Sequence, residues 1–267
     1  MVLRTVATTA PHRSVKAELR RRSLPAVSLR VIERWAATRP KGSVQIQKLR
    51  HSSSDRGKSA DTPDDEIAVQ ESRLWLDTPS RWRYDVDFPG GTGVFVTDGP
   101  LWWSYAPSVH ALSNESAPER YPGQREHQES RLFHREQVLA ALTVTGKHAE
   151  ERAGRLVDVL EAVARADSYV PSLPSGADTY QLVIDPERNV VLRMAAVADG
   201  VEFSSVEITS LEFDVPMDQT LFRIELPAGM GFTPPPSHAS RPSLLQRLFG
   251  ALLRTLVSSA VRLFAQN

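Results

Sequence analysis

Hydrophobic and polar residues alternate along residues 69–107, and glycine or proline interrupts the alternation at short intervals. In the segment Arg81–Asp87, the side chains of Trp82, Tyr84 and Val86 fall on one side and the charged side chains fall on the other. A period of two is typical of β-strands. Short strands with turns every few residues predict a curved antiparallel sheet rather than βαβ units.

Turn residues separate the predicted strands. Asp98-Gly99 predicts a hairpin because glycine adopts a positive φ without steric cost, and Asp199-Gly200 predicts another. The predicted strands are Ser43–Leu49, Gln70–Leu76, Arg81–Asp87, Val94–Val96, Leu101–Tyr105, Val109–Leu112, Thr179–Ile184, Val190–Ala196, Val201–Val215 and Phe222–Leu226.

Helical spacing of apolar residues appears in three other segments. Val27–Ala37 is predicted to be a core-facing helix, in which Trp35 packs rather than contacts a ligand. Phe133–Thr143 is predicted to be an amphipathic helix, either a lid over the open face of the sheet or an ordinary packing helix. Gly154–Ala166 fits a helix by composition and a strand by its valines, and these two alternatives remain open at this point.

The C-terminal segment 243–264 has a basic face and a wide apolar face at helical spacing. Arginines distributed along it argue against a membrane-spanning helix, because each is costly at the bilayer centre. Three hypotheses remain: anchoring at a membrane surface, docking in the protein's own cavity, and packing on a partner or second copy. The residues predicted to make this membrane or partner contact are Arg247, Phe249, Leu252, Arg254, Leu256 and Arg262.

These patterns divide the chain into four regions. Residues 1–23 are polar and basic and are predicted to be a disordered tail. Residues 24–232 are predicted to be the β-rich domain, 233–242 a proline-rich linker, and 243–267 the basic amphipathic helix. The predicted fold class is therefore α+β and mainly β, with a C-terminal amphipathic helix.

Composition narrows the possible functions. A hydrophobic content of 41% is sufficient for a core. The 32 basic and 32 acidic residues balance, so the overall charge indicates no nucleic-acid partner. The absence of cysteine excludes disulfides and thiolate metal sites. No apolar segment typical of a secretion signal is present near residue 1, so the expected location is the cytoplasm, with a peripheral position at the inner membrane surface as an option.

No enzymatic motif is convincing. The seven histidines are scattered, and no carboxylate pattern accompanies His127 and His134, so no metal site is expected. The Arg56–Ser59 segment resembles the end of a phosphate loop but lacks the preceding glycine, since Ser52 stands there. No catalytic residue and no cofactor are predicted, and the chain is not expected to be an enzyme.

Several motifs in order resemble the bacterial LolA-type lipoprotein carriers and the related RseB/MucB-type envelope-stress sensors. The resemblance covers roughly residues 30–232. It rests on Leu74-Trp75-Leu76, Pro79, the pair Trp82 and Tyr84, Asp98-Gly99, Leu101–Pro107 (LWWSYAP), Tyr180–Arg193 (YQLVIDPERNVVLR) and Phe222–Gly229 (FRIELPAG).

The resemblance implies a half-open antiparallel β-barrel whose concave face is covered by helices and encloses an apolar cavity for acyl chains. It also implies that Gly154–Ala166 is a strand. The chain departs from the carriers at Thr78, where they have an arginine that holds the lid shut, and no secretion signal is expected from its first residues, whereas the carriers begin with one. The resemblance therefore supports fold and cavity better than it supports an outer-membrane shuttle.

The expected function is non-enzymatic binding of a lipid or an acyl-bearing, lipoprotein-like ligand in the cavity of the sheet. The alternative is a lipid-sensing regulatory module that binds another protein, as in the RseB/MucB type. The residues predicted to contact the apolar ligand are aromatic: Trp75, Trp82, Tyr84, Phe95, Trp103 and Tyr105.

Overall fold

The structure is a computed structural model that describes residues 14–38, 67–77, 80–88, 90–107, 109–119, 127–152, 154–165, 170 and 172–235. The predicted strand Ser43–Leu49, the departure at Thr78 and the C-terminal segment 243–267 lie outside the described residues. So does most of the proline-rich linker.

The described residues form β-strands with few helices. Helix α1 is Pro25–Ala37, helix α2 is Arg135–Leu139, and two 3₁₀ helices span Gln128–Phe133 and Gln219–Phe222. The strands are β1 (Ser14–Ser23), β2 (Ala68–Asp77), β3 (Arg81–Phe88), β4 (Gly91–Asp98), β5 (Leu101–Ala106), β6 (His110–Ser113), β7 (Leu142–Arg152), β8 (Arg155–Ala164), β9 (Thr179–Asp185), β10 (Val190–Ala198) and β11 (Val201–Phe213).

The strands follow one another in an 11-stranded antiparallel sheet in the order β6-β5-β4-β3-β2-β1-β11-β10-β9-β8-β7. Most neighbours in this order are also neighbours in sequence, as expected for strands joined by hairpins. The mainly β, antiparallel part of the predicted fold class is confirmed.

By compactness the chain divides into two units. Unit one holds the described residues within 19–69 and 128–209, and unit two holds those within 14–18, 70–127 and 210–235. Unit one contains the helices α1 and α2 and the strands β7 to β10. Unit two contains β3 to β6 and the 3₁₀ helix Gln219–Phe222.

The predicted disordered tail is wrong for residues 14–23, which form β1. Val15, Ala17 and Leu19 are buried, and the charged residues between and after them are partly or fully exposed. The arginines at 20–22 resemble a solvated tail in composition. Alternating burial, however, gives this segment one apolar side that a sheet can cover.

Two other predicted boundaries are also corrected. The helix predicted over Phe133–Thr143 is only the short α2, because Leu142 is already buried as the first residue of β7. The strand predicted over Phe222–Leu226 is absent. Phe222 instead ends a 3₁₀ helix whose N-cap, Asp218, accepts a hydrogen bond of 2.8 Å from the amide of Thr220.

Two other predictions are confirmed. Residues 155–164 form strand β8, which pairs with β7 on one side and β9 on the other. Helix α1 begins at Pro25, a favourable residue for a first turn. In unit one Trp35 lies against the backbone of Gly176.

A buried ion pair lies within unit one. Glu129 is 1% exposed and accepts a hydrogen bond of 2.5 Å from Arg21, which also donates to the carbonyl oxygen of Ser172 at 2.6 Å. The pair ties β1 to two irregular segments of the same unit. Buried carboxylates require such partners because an isolated charge is costly to desolvate.

Candidate functional site

The register of the strands in unit two separates the predicted ligand-contacting residues into two sets. Tyr84 lies opposite Leu74 on β2 and opposite Phe95 on β4, and directly opposed residues share one face of a sheet. Trp82 is two residues from Tyr84 and therefore lies on the same face. We call this the aromatic face; its large apolar members are Leu74, Leu76, Trp82, Tyr84, Val86, Phe88, Phe95, Trp102 and Leu112.

The other predicted residues lie on the opposite side of the same strands, which we call the reverse face. Trp75 is opposite Arg83, and Trp103 and Tyr105 are opposite Val96 and Val94. The structure thus brings together Trp82, Tyr84 and Phe95. It does not place Trp75, Trp103 or Tyr105 with them.

The centre of the aromatic face is buried within the described structure, and Leu76, Phe88 and Leu112 are partly buried. Trp82, Tyr84 and Phe95 are each 2% exposed, whereas Trp75, Trp103 and Tyr105 are partly exposed. Trp102 also belongs to the aromatic face, opposite Thr97, and was not among the predicted site residues. The sequence does indicate that Trp102 and Trp103 lie on different faces, because consecutive residues of a strand point to opposite sides of a sheet.

His127 covers two of these aromatic side chains. Its ring stacks on Tyr84 at a centroid distance of 4.2 Å and an interplanar angle of 27°, and it lies 4.9 Å from the Trp82 ring at 59°. His127 is itself buried, at 3% exposure. This histidine lies outside the strands, so no periodicity in the sequence indicates the contact.

Charge is distributed unequally between the two faces. Within the paired residues of β2 to β6, the aromatic face carries no Asp, Glu, Lys or Arg. The charged residues of those strands all lie on the reverse face: Arg73, Asp77, Arg81, Arg83, Asp85, Asp87 and Asp98. The aromatic face therefore offers an apolar surface rather than a binding site for ions.

One polar pair lies toward the edge of the aromatic face. Ser104 Oγ and His110 Nε2 share a hydrogen bond of 2.7 Å. Burial lowers the pKa of His110 below its usual value of 6.5, because the charged imidazolium is poorly solvated there. Ser104 is fully buried, at 0% exposure, so this pair is a satisfied polar contact in an apolar surface.

The reverse face is covered by the closing segment of unit two, residues 217–224. Phe222 is buried against Val94 and Val96, and the partly buried side chains Trp103, Met217, Leu221 and Ile224 pack around them. Arg81 lies over the Phe222 ring at 5.2 Å. On this face the aromatic residues therefore pack against the protein's own chain.

The described residues offer little for catalysis or metal binding. No group of three or more His, Asp or Glu side chains suited to a metal occurs among them. Within the same residues, no helix combines the length and apolar character needed to cross a membrane. The aromatic face is therefore the candidate functional site.

No family model matches the sequence, and the search of curated proteins finds no significant match. Comparison with solved structures finds an uncharacterized conserved protein from Thermus thermophilus, at 10% identity and a TM-score of 0.45, over 84% of this chain and 91% of that chain. It also finds MucB of Pseudomonas aeruginosa, solved in a complex with MucA, at 13% identity and a TM-score of 0.39, over 79% and 56% of the two chains.

A LolA superfamily protein from Nitrosomonas europaea matches at 10% identity and a TM-score of 0.29, over 80% of this chain and 91% of that chain. Both groups that the sequence resembles are thus found among the structural matches. At these identities and TM-scores, the proposals below rest on contacts and burial within this chain.

Proposed function

We propose that the protein is a non-enzymatic binding protein that holds a lipid or another acyl-bearing ligand against the aromatic face. The main support for this proposal is the distribution of charged residues between the two faces of the sheet in unit two. Trp82, Tyr84 and Phe95 lie together on a face with no Asp, Glu, Lys or Arg, while every charged residue of the paired strands lies on the reverse.

The chemistry of this face suits a long alkyl chain. Removing a methylene from water contributes about 0.8 kcal/mol, so affinity would rise with acyl length until the covered surface is filled. Aromatic rings add contact area with little conformational entropy to lose. Specificity would come from the shape of the surface rather than from ion pairing, because the face has no fixed charge to offer.

Access to this face requires that its cover move. The ring of His127 occupies the surface of Tyr84 and Trp82, so an acyl chain would replace that ring or enter beside it. In the half-open barrel that the family resemblance implies, such a cover would act as a lid.

The decisive experiment measures lipid in the purified full chain. Native mass spectrometry should reveal co-purifying lipid, and titration with a fluorescent fatty acid should show saturable uptake. Trp82→Ala should weaken uptake about tenfold or more, because a large buried side chain contributes about 1.5–3 kcal/mol. Trp103→Ala is the matched control, since it removes the same side chain from the reverse face.

Two results would oppose the proposal. One is the absence of both co-purifying lipid and fatty-acid uptake in a chain that is folded by circular dichroism. The other is equal loss of uptake in both tryptophan variants, which would indicate a general effect of destabilisation. Capture of a stoichiometric protein that lipid displaces would instead favour the sensing module.

A further inference from the structure

Strand β7 ends the strand order of the sheet and lies in unit one. It pairs with β8 along Leu142–Arg152, and among the described strands it has no partner on its other side. Most of its residues after Leu142 are exposed, including Lys147 at 59% and His148 at 63% of the side chain. An edge of this length presents unpaired backbone groups to a further strand.

We propose that β7 pairs with β7 of a second copy of this chain, antiparallel, about a two-fold axis normal to the sheet that passes midway between Ala149 of one copy and Ala149 of the other. Residues that face one another across such an axis must point to the same side of the sheet. Side chains alternate with a period of two, so one residue of β7 must face its own counterpart in the second copy.

The charges of β7 are complementary to themselves in this register. When Ala149 faces its counterpart, Lys147 lies opposite the partner's Glu151, and His148 lies opposite the partner's Glu150. The symmetry repeats each pair. Opposite charges directly across an antiparallel pair stabilise it, and like charges destabilise it.

Neighbouring registers lack this complementarity. If His148 faced its counterpart in the second copy, Lys147 would lie opposite the partner's Ala149. If Glu150 faced its counterpart, two glutamates would be opposed and His148 would lie opposite the partner's Arg152. The charges that favour one register therefore disfavour the others, and they also discourage unrelated strands from adding to this edge.

The local backbone sets the extent of the proposed interface. The pairing of β7 with β8 shifts register between Val144 and Gly146, and such an irregularity limits regular pairing beyond it. The stretch from Gly146 to Arg152 remains regular and contains both pairs of facing polar residues. Lys147 forms an ion pair with Asp158 of β8 at 2.8 Å, so in the dimer its amine would be shared between Asp158 and the partner's Glu151.

A short strand pair buries little area, so the dimer should be weak and should dissociate on dilution. Sedimentation velocity on the full chain over a wide range of concentration is the direct test. Glu151→Lys places lysine opposite lysine and should weaken the dimer at least about tenfold, since two attractive pairs become repulsive. Lys147→Glu should act in the same direction.

Mixing the two variants supplies the specific test. A Lys147→Glu chain and a Glu151→Lys chain are complementary to each other, so their mixture should form a heterodimer that neither variant forms alone. Lys16→Glu is the matched control, because Lys16 is an exposed strand lysine paired with Glu212 at 2.8 Å in unit two. It should leave the dissociation constant unchanged.

Three outcomes would overturn the proposal. The first is a wild-type chain that stays monomeric at every concentration. The second is a dimer that neither charge variant weakens, which would place the contact elsewhere in the chain. The third is two weakened variants, folded by circular dichroism, whose mixture does not associate.

Discussion

The guanidinium of Arg83 on strand β3 donates a hydrogen bond of 3.0 Å to the carbonyl oxygen of Leu221. The same side chain donates to both carboxylate oxygens of Asp85, at 2.7 and 2.9 Å. It also lies 5.7 Å from the centre of the Trp75 ring. One arginine therefore ties the reverse face of the sheet in unit two to the closing segment that covers it.

Removal of Arg83 should destabilise the protein. Arg83→Met would leave the buried carboxylate of Asp85 without its partner and would free a backbone carbonyl. We expect the free energy of unfolding to fall by about 2–4 kcal/mol, as for a broken, largely buried ion pair. Urea denaturation measures this change.

The double variant Arg83→Met/Asp85→Ala is the control for that measurement. It should recover part of the loss, because no unpaired carboxylate remains buried. A single variant that unfolds at the wild-type urea concentration would show that the contact contributes nothing to stability.

Gly176 in unit one should tolerate no larger residue. Its φ is +95°, and an added Cβ would lie 2.6 Å from Cβ of Trp35 and 3.0 Å from the carbonyl oxygen of Val31. Gly176→Ala therefore combines backbone strain with a steric clash against α1. We expect a loss of about 2–4 kcal/mol in the free energy of unfolding.

A substitution at Gly200 distinguishes the effect of backbone strain from that of the steric clash. It also has a positive φ, of +77°, but nothing lies within 4 Å of an added Cβ. Gly200→Ala should therefore cost only the backbone strain, about 1–2 kcal/mol. Equal losses in the two variants would mean that α1 yields to the added methyl group at no measurable cost.

Much of the sheet could be predicted from the sequence because the two faces of its strands differ in residue type, which produces a visible alternation along the chain. Along Arg81–Asp87 one face is aromatic and the other is charged, so the period of two is plain. Strand β1 was missed although Val15, Ala17 and Leu19 alternate, because the nearby arginines resemble the composition of a tail. Composition and periodicity disagreed there, and periodicity proved correct.

The candidate site could be predicted only in part. Clustering of aromatic residues in the sequence led to six candidate residues on β2 to β5, but it did not assign them to faces. That assignment requires the strand register. The sequence alone allows Phe95 and Trp103 to share an apolar site. In the structure Phe95 lies opposite Ser104, so Trp103, the next residue along the strand, points to the other face. Contacts such as that between Arg83 and Leu221 join residues 138 positions apart, and a single sequence carries no local signal for them.

His127→Ala should open the aromatic face. The substitution removes the ring that stacks on Tyr84 and Trp82. If acyl chains bind there, the rate of uptake of a fluorescent fatty acid should rise, because the ligand no longer has to displace this ring. Stopped-flow fluorescence measures the rate.

Loss of the stacking contacts should also lower the free energy of unfolding of His127→Ala by about 0.5–1.5 kcal/mol or more. His134→Ala is a matched control, since His134 is only partly buried, in unit one, with 44% of its side chain accessible. Slower uptake by His127→Ala than by His134→Ala would indicate that the imidazole takes part in binding rather than blocking it.

His110 should make the protein less stable in mild acid. Burial lowers the pKa of folded His110, whereas unfolded His110 should titrate near its usual value of 6.5. As the pH falls below that value, the unfolded chain binds the proton first. The contribution of His110 is thus fully present above its unfolded pKa and is lost as the pH falls toward the folded pKa.

Urea denaturation of the wild type and of His110→Asn, at about pH 7.5 and about pH 5, isolates this contribution from that of the other histidines. Asparagine is neutral at both values and can still hydrogen bond to Ser104, which lies 2.7 Å from the imidazole in the wild type. The wild type should therefore lose more stability than the variant on acidification. A larger loss in the variant would mean that the folded protein binds the proton at His110 more tightly than the unfolded chain does.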